Sequence, residues 1–268
     1  MIPIQTNIYN KRKAIGMEKE DLLLKKRLEE LARRSYTQNM FTFTEFLSLP
    51  ELDLFYRNEP QLRFAGVTVF GGSEGCDRKV VRFGNHEELG YEEPFPIVCI
   101  SIEPLIEKFG ENLNHRDYLG ALMNLGIERE NLGDIFIKGK TGYVFCLERI
   151  AEYILENLTQ VRHTHVKLKV LEQEEEFVQK EIEEMVVLSA SERIDGILSK
   201  VYNMSRSQSI EHFRAKKVYV NSRLCENNSY QLKANDVVSV RGYGKFVYNG
   251  VGYQTKKGKL SVNVGIYK

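Results

Sequence analysis

The sequence predicts an α+β protein, and three observations predict it. One stretch free of glycine and proline carries leucines along a single helical face. A central stretch alternates strand-like and helix-like patterns in the order β-α-β-β-α-β. The last eighty residues carry a large positive charge that the rest of the chain lacks. These features divide the chain into a mostly helical N-terminal region (residues 1–75), a middle α/β domain (76–171), an acidic linker (172–188) and a basic C-terminal domain (189–268).

Residues 18–34 place Leu24, Leu28 and Leu31 at i, i+4 and i+7, which makes one apolar stripe. Lys25, Lys26, Arg27, Arg33 and Arg34 lie on the other faces, most simply as a solvated surface. Residues 41–46 are read as the start of another turn, and Pro50 as the start of a short helix through Tyr56. Residues 62–70 and 78–83 have strand character. The glycine cluster Gly71-Gly72-Ser73-Glu74-Gly75 stands between them. A phosphate cradle would have to open a helix, whereas Arg78-Lys79-Val80-Val81-Arg82-Phe83 reads as a strand, so the cluster is expected to be a hairpin connection.

In the middle domain, residues 96–103 form a strand with Val98, Ile100 and Ile102 on one face. Asn114 caps a helix over 115–125 that Gly126 ends. Strands at 134–138 and 143–147 are joined by a Gly139-Lys140-Thr141-Gly142 turn, then a helix (148–158) and a strand (166–171) follow. This succession is that of ferredoxin-like and RNA-recognition-motif folds. Tyr143 and Phe145 share a strand face, where base stacking is one reading and core packing the favoured one. His163 and His165 are read on one strand face without a third metal ligand. The glutamate-rich run at 172–184 suits a linker or an exposed connecting helix.

Composition narrows the function. With 268 residues, 42% hydrophobic and 28% charged, the chain can bury cores of ordinary globular size. Apolar runs stay short of the ~20 residues a membrane span needs, and the N-terminus lacks a signal-peptide stretch. A cytoplasmic protein with no membrane partner is expected. Cys76, Cys99, Cys146 and Cys225 are widely spaced and are read as small buried apolar residues in place of zinc ligands. The formal net charge is +1 overall, yet residues 189–268 hold fourteen lysines and arginines against five acids, a net +9 that leaves −8 on the preceding 188 residues. A polyanion held at one end of the chain is the physical implication.

That basic end reads as two helices, over 190–202 and from Ser205 to Lys217, followed by strands at 218–221 and 236–241 and a closing hairpin (247–253 and 260–267) around Thr255-Lys256-Lys257-Gly258-Lys259. Ser205 can cap the second helix with Arg206 at its start. Helix N-termini and basic side chains fix phosphates without reading sequence, and A-form RNA is recognised by shape, phosphates and 2′-hydroxyls.

Two family resemblances follow. Arg193-Ile194-Asp195, Ser205-Arg206, Val218-Tyr219-Val220-Asn221 and the run from Asn235 to Lys245 resemble the ribosomal-protein-S-four type (alpha-L) RNA-binding domain. Ser222 and Asn235 replace glycines of that pattern, and Lys216 stands where glycine often precedes the first strand. The resemblance implies RNA contacts by Arg193, Ser205, Arg206, Lys216, Lys217, Asn221, Arg223, Arg241, Lys245, Lys256 and Lys257. Further upstream, Gly71-Gly72-Ser73-Glu74-Gly75-Cys76-Asp77-Arg78 and the run His115-Arg116-Asp117-Tyr118-Leu119-Gly120-Ala121-Leu122-Met123-Asn124 resemble the bacterial YlmH family. His115, Arg116 and Arg78 are candidates for a secondary RNA contact. The resemblance implies a monomeric factor that binds ribosomal RNA and transfer RNA on the large ribosomal subunit during rescue of stalled nascent chains, with a link to cell division. No catalytic residue, cofactor or metal is expected. The alternative is an RNA-modifying enzyme that uses the same module. Against a pseudouridine synthase, the segment after Asp195 lacks the family's Thr-Ser-Gly continuation; against a methyltransferase, no glycine-rich strand-to-helix cofactor turn is convincing.

Overall fold

The computed structural model describes residues 4–171 and 182–267, with side chains from residue 18 onward. The chain separates into two units, Met1–Val178 and Gln179–Lys268. Among the described residues no helix is long and apolar enough to cross a membrane.

The first unit opens with α1 (Ile4–Gln38), longer than the leucine stripe alone implies. Leu28 and Leu31 of that stripe are buried, against α2 (Leu49–Leu62), which continues well past Tyr56. Residues 41–46 do not extend a helical turn. Thr42–Phe43 is instead a short strand, β1, which Thr42 secures by donating its hydroxyl to the Leu31 carbonyl at 2.9 Å. Strands β2 (Val67–Phe70) and β3 (Val80–Phe83) form the expected hairpin and make a sheet of order β1-β3-β2. The boundary expected after residue 75 thus falls inside one hairpin, whose two strands share a sheet. A short α3 (His86–Leu89) leads into the second sheet.

That sheet contains β4 (Ile97–Pro104), β5 (Leu132–Lys138), β6 (Thr141–Leu147), β7 (Gln160–Val161) and β8 (Thr164–Leu171), in the order β5-β6-β4-β8-β7 with antiparallel neighbours throughout. Helices α4 (His115–Asn124) and α5 (Ala151–Asn157) complete the β-α-β-β-α-β succession, with β7 as an addition. Asn114 caps α4 by accepting the Arg116 N–H at 2.9 Å while Asp117 accepts the Asn114 N–H at 2.8 Å. One sheet face packs Ile100, Ile102, Val144 and Cys146 against Tyr118, Leu122 and Ile154 of the helices.

The opposite face is closed by the N-terminal sheet: Phe145, Cys99 and Phe136 pack with Phe46, Cys76 and Val80. This closure explains the glycine cluster. A Cβ on Gly72 would lie 2.4 Å from the Phe145 ring, and Gly72 also takes φ +98°. Gly72 therefore allows the loop to lie directly on an aromatic ring, a close approach that only glycine permits.

The second unit packs α6 (Ile194–Val201) and α7 (Arg206–Arg214) on a six-stranded antiparallel sheet. Its strands are β9 (Ile182–Ser189), β10 (Val218–Val220), β11 (Arg223–Leu224), β12 (Asp236–Val240), β13 (Gly244–Gln254) and β14 (Leu260–Tyr267), in the order β11-β10-β12-β13-β14-β9. The core joins Ile194, Ile197, Leu198 and Phe213 to Val218, Val238, Phe246 and Val264. The linker expected at 172–188 needs correction. Residues 172–181 lie outside the described residues, but 182–188 belong to β9, which pairs with β14 along its whole length. The β-branched and apolar run Met185-Val186-Val187-Leu188 outweighs Glu183 and Glu184, because a strand needs only one buried face. All four cysteines are free and buried, and burial pushes the Cys146 thiol up to about 12.

Candidate nucleic-acid interface

Residues of the second unit expected to hold RNA fall into three groups. The first is built around Asp195, whose carboxylate lies at the start of α6 with 0% of its surface exposed. Arg193 reaches it through Nε at 3.2 Å and Nη2 at 3.0 Å, and Arg206 through Nε at 3.1 Å and Nη2 at 3.0 Å. The Gly196 N–H adds a bond of 2.8 Å. Burial alone would raise the pKa of Asp195, but the hydrogen bonds and charges of Arg193 and Arg206 outweigh it and hold the group below the usual carboxylate range. Asp195 thereby ties the two helix starts together, and Ser209 reinforces the tie by donating its hydroxyl to the Asp195 carbonyl at 2.9 Å. Ser205 caps α7 in a capping box with Gln208. Both arginines keep an open side: the side chain of Arg206 is 61% exposed and that of Arg193 33%.

The second group lies at the other end of α7. Lys216 and Lys217 follow the helix, and the Arg241 N–H donates to the Lys217 carbonyl at 3.0 Å. The Arg241-Gly242-Tyr243 turn is thereby held against them. Tyr243 is half-exposed, with its ring 4.7 Å from that of His212 and 5.5 Å from that of Tyr202. His212 titrates below its ordinary value, first through burial and then through the charge of Lys217. Sequence reading did not select Tyr243, although an exposed aromatic between two glycines in a basic turn was the signal available.

The third group does not join the second. Lys256 and Lys257 are exposed at the β13–β14 hairpin tip. The eleven residues of β13 put that tip roughly 30 Å from the Arg241 turn. Arg223 is exposed on β11, the sheet's edge strand.

Other candidates turn inward. Lys245 is only 4% exposed and its ammonium sits 5.5 Å from the Tyr267 ring, because its place opposite Ser239 and Tyr267 directs it across the sheet. Asn221 spends its amide on structure, donating to Asp236 Oδ1 at 2.8 Å and accepting the Val237 N–H at 2.9 Å. In the first unit, Arg78 donates to the carbonyls of Leu132 at 2.9 Å, Phe46 at 2.7 Å and Arg129 at 3.3 Å. Burial lowers its pKa, and burial pulls that of the adjacent Arg129 down to about 10. Arg78 is a pin between the two sheets of this unit, which removes it from a phosphate-binding role. His115 and Arg116 are exposed at the start of α4. Phe145, a stacking candidate, is core. His163 lies in the β7–β8 turn and His165 on β8, so they do not share the strand face expected of them.

The glycine departures are resolved by the backbone. Lys216, Ser222 and Asn235 take φ of +53°, +64° and +71°, the left-handed geometry that glycine favours. These three positions therefore hold the backbone geometry glycine favours, with side chains added.

Residues 91–175 match the family model described as "Putative RNA-binding domain in YlmH". Over those residues the chain is similar to the YlmH family. Its relative in Bacillus subtilis (strain 168), "Ribosome-associated protein quality control protein P2", is 26% identical over 200 residues, which cover 74% of this chain and 76% of that protein. Among solved structures, "Cell division protein ylmH from Streptococcus pneumoniae" is similar at a TM-score of 0.47 and 15% identity, over 59% of this chain and 94% of that one. The family-model match lies wholly within the first unit, whereas the basic excess lies in the second.

Proposed function

We propose that this protein is a non-catalytic, cytoplasmic RNA-binding factor that acts as a monomer on the large ribosomal subunit. It holds structured ribosomal RNA and transfer RNA through an S-four type domain in its second unit, during quality control of stalled nascent chains. The observation that carries the proposal is the cluster at the end of α7, where Lys216, Lys217 and Arg241 stand beside the exposed Tyr243. Lys216 pairs with Glu226 at 3.3 Å, with both side chains largely exposed, and exposed cations next to an aromatic face suit phosphate and base or ribose contact. Open guanidinium surface at Arg193 and Arg206 adds a second point of contact about one helix length away. The quality-control role draws on the name of the Bacillus relative. The non-catalytic reading is supported by Asp195, whose carboxylate is enclosed by both arginines and has no free access to a base.

The test is filter binding of the full chain to transfer RNA and to large-subunit ribosomal RNA between 50 and 200 mM salt. Replacing Lys216, Lys217 and Arg241 together with alanine should flatten the log–log salt slope by ~2 to 3. Lys245→Met should leave it unchanged. A triple variant with the wild-type slope overturns the assignment.

A further inference from the structure

The most distinctive run of the sequence, from His115 to Asn124, is not used by the interface above. It forms α4, and it separates cleanly by face. Tyr118 and Leu122 are buried in the core, with the Tyr118 phenol donating to the Lys140 carbonyl at 3.1 Å and pushed up to about 12, first by burial and then by Asp117. Arg116, Gly120 and Asn124 stand at i, i+4 and i+8, a single stripe on the outer face. That stripe forms one wall of an open cleft of about 560 Å³, and the chain from Asn157 to Arg162 forms the other. The volume falls within the range that small-ligand sites occupy.

Three features make the cleft a binding site for an anion with polar edges. Its charged lining is Arg116, Arg162 and Asp117, a net +1. The acid is already engaged: Asp117 Oδ1 pairs with Arg162 Nε at 2.7 Å and Oδ2 accepts the Asn114 N–H, so it orients Arg162 and does not repel a phosphate. Arg116, Asn124 and Thr159 make no side-chain hydrogen bond among the described residues, which leaves a cation, an amide and a hydroxyl facing solvent. Gly120 weakens the helix, yet a Cβ there would meet nothing within 4 Å. Packing inside the chain does not ask for glycine at this position; a group approaching the helix closely from outside does. No aromatic side chain lines the cleft, so it lacks the anchor pocket typical of a protein partner.

We propose that the cleft between α4 and the α5–β7 segment is a second RNA site, which takes one nucleotide of an unpaired strand. Its phosphate sits on Arg116 and Arg162, and its base or ribose edge sits on Asn124 and Thr159 over Gly120. This rests on the RNA-binding reading of the chain but on a separate surface from the α7 cluster. Unpaired RNA is the form whose base edges and 2′-hydroxyl such amide and hydroxyl groups can reach.

The experiment uses the full chain and a 12-nucleotide oligouridylate carrying 4-thiouridine, irradiated and digested, with the RNA-linked peptides identified by mass spectrometry. Adducts are expected on residues 115–125 or 157–162. Gly120→Leu, which fills the cleft from an open position, should reduce those adducts at least tenfold while the melting temperature is maintained. Replacing Arg116 and Arg162 with alanine should reduce them by about tenfold. Adducts confined to residues 189–268 overturn the cleft and leave the α7 interface standing. Cleft adducts that survive Gly120→Leu overturn it as well. No RNA adduct anywhere overturns both readings.

Discussion

Removing Arg193 and Arg206 together should unfold the start of α6, although the sequence assigns both only to RNA contact. The reason is Asp195. Its carboxylate is fully buried and four of its hydrogen bonds come from these two guanidinium groups. Breaking a buried ion pair from one side costs ~3 to 5 kcal/mol, because an uncompensated charge stays behind. Either single replacement should cost less, since the remaining arginine still compensates. The measurement is native-state hydrogen exchange of the α6 amides of the full chain, which reports opening of this unit without a two-state assumption for the whole protein. Adding Asp195→Asn to the double variant should restore ~1 to 3 kcal/mol, because a neutral amide tolerates burial better. The pH dependence gives a second check. Asp195 has a folded pKa below its unfolded value, so its contribution is present above the unfolded pKa of ~3.9 and is lost as pH falls through the lower folded value. In the double variant both guanidinium partners are gone and burial dominates over the remaining Gly196 N–H bond, so the folded pKa rises and the variant should gain stability relative to wild type as pH falls. A triple variant no more stable than the double, at neutral pH, would refute the reasoning.

Gly72→Ala should destabilise the first unit by ~2 to 4 kcal/mol, read from the urea midpoint, since its Cβ would lie 2.4 Å from the Phe145 ring at a φ of +98°. Ser222→Gly should stabilise the second unit by ~0.5 to 1 kcal/mol, as the relief of left-handed strain at φ +64° exceeds the chain entropy glycine adds. Arg78→Met should lower the melting temperature by leaving the Phe46 carbonyl without its side-chain donor and the Leu132 carbonyl with Arg129 alone, yet leave RNA affinity of the folded fraction unchanged. A loss of affinity with the melting temperature intact would return Arg78 to the RNA contacts.

What the sequence made legible follows the periodicity of its side chains. The β-α-β-β-α-β succession could be read because Val98, Ile100 and Ile102 alternate, and because Asn114 and Gly126 punctuate α4 with residues whose backbone chemistry is local. β1 could not be read, since two residues have no period; only the Leu31 carbonyl and the β3 edge make Thr42–Phe43 a strand. β9 was hidden because its acids mask a paired strand, and pairing with β14 across 70 or more intervening residues leaves no local trace. Charge alone could not separate Lys217, which is free to meet solvent beside Arg241, from Lys245, which the alternation of β13 turns across the sheet. The Asp195 node was half visible: Arg193 lies two residues away, but Arg206 arrives from a second helix.

The closed sheet face has a consequence for where this protein can meet RNA. An RNA-recognition-motif sheet presents aromatics of its central strands to unstacked bases. Here the equivalent surface carries Phe145 and Phe136, and the N-terminal sheet lies over it with Phe46, Cys76 and Val80. The Gly72 loop and the Arg78 pin fix that cover in place: the first lies on the Phe145 ring, the second spans the carbonyls of Phe46 and Leu132. Opening the cover would expose those apolar side chains and strip Arg78 of its acceptors, so base stacking on this face would cost more than a stacked base, worth ~1 to 3 kcal/mol, returns. Any RNA contact proposed for the first unit therefore has to use its helical side and not the sheet. That side is where α4 places Arg116, Gly120 and Asn124 along the cleft.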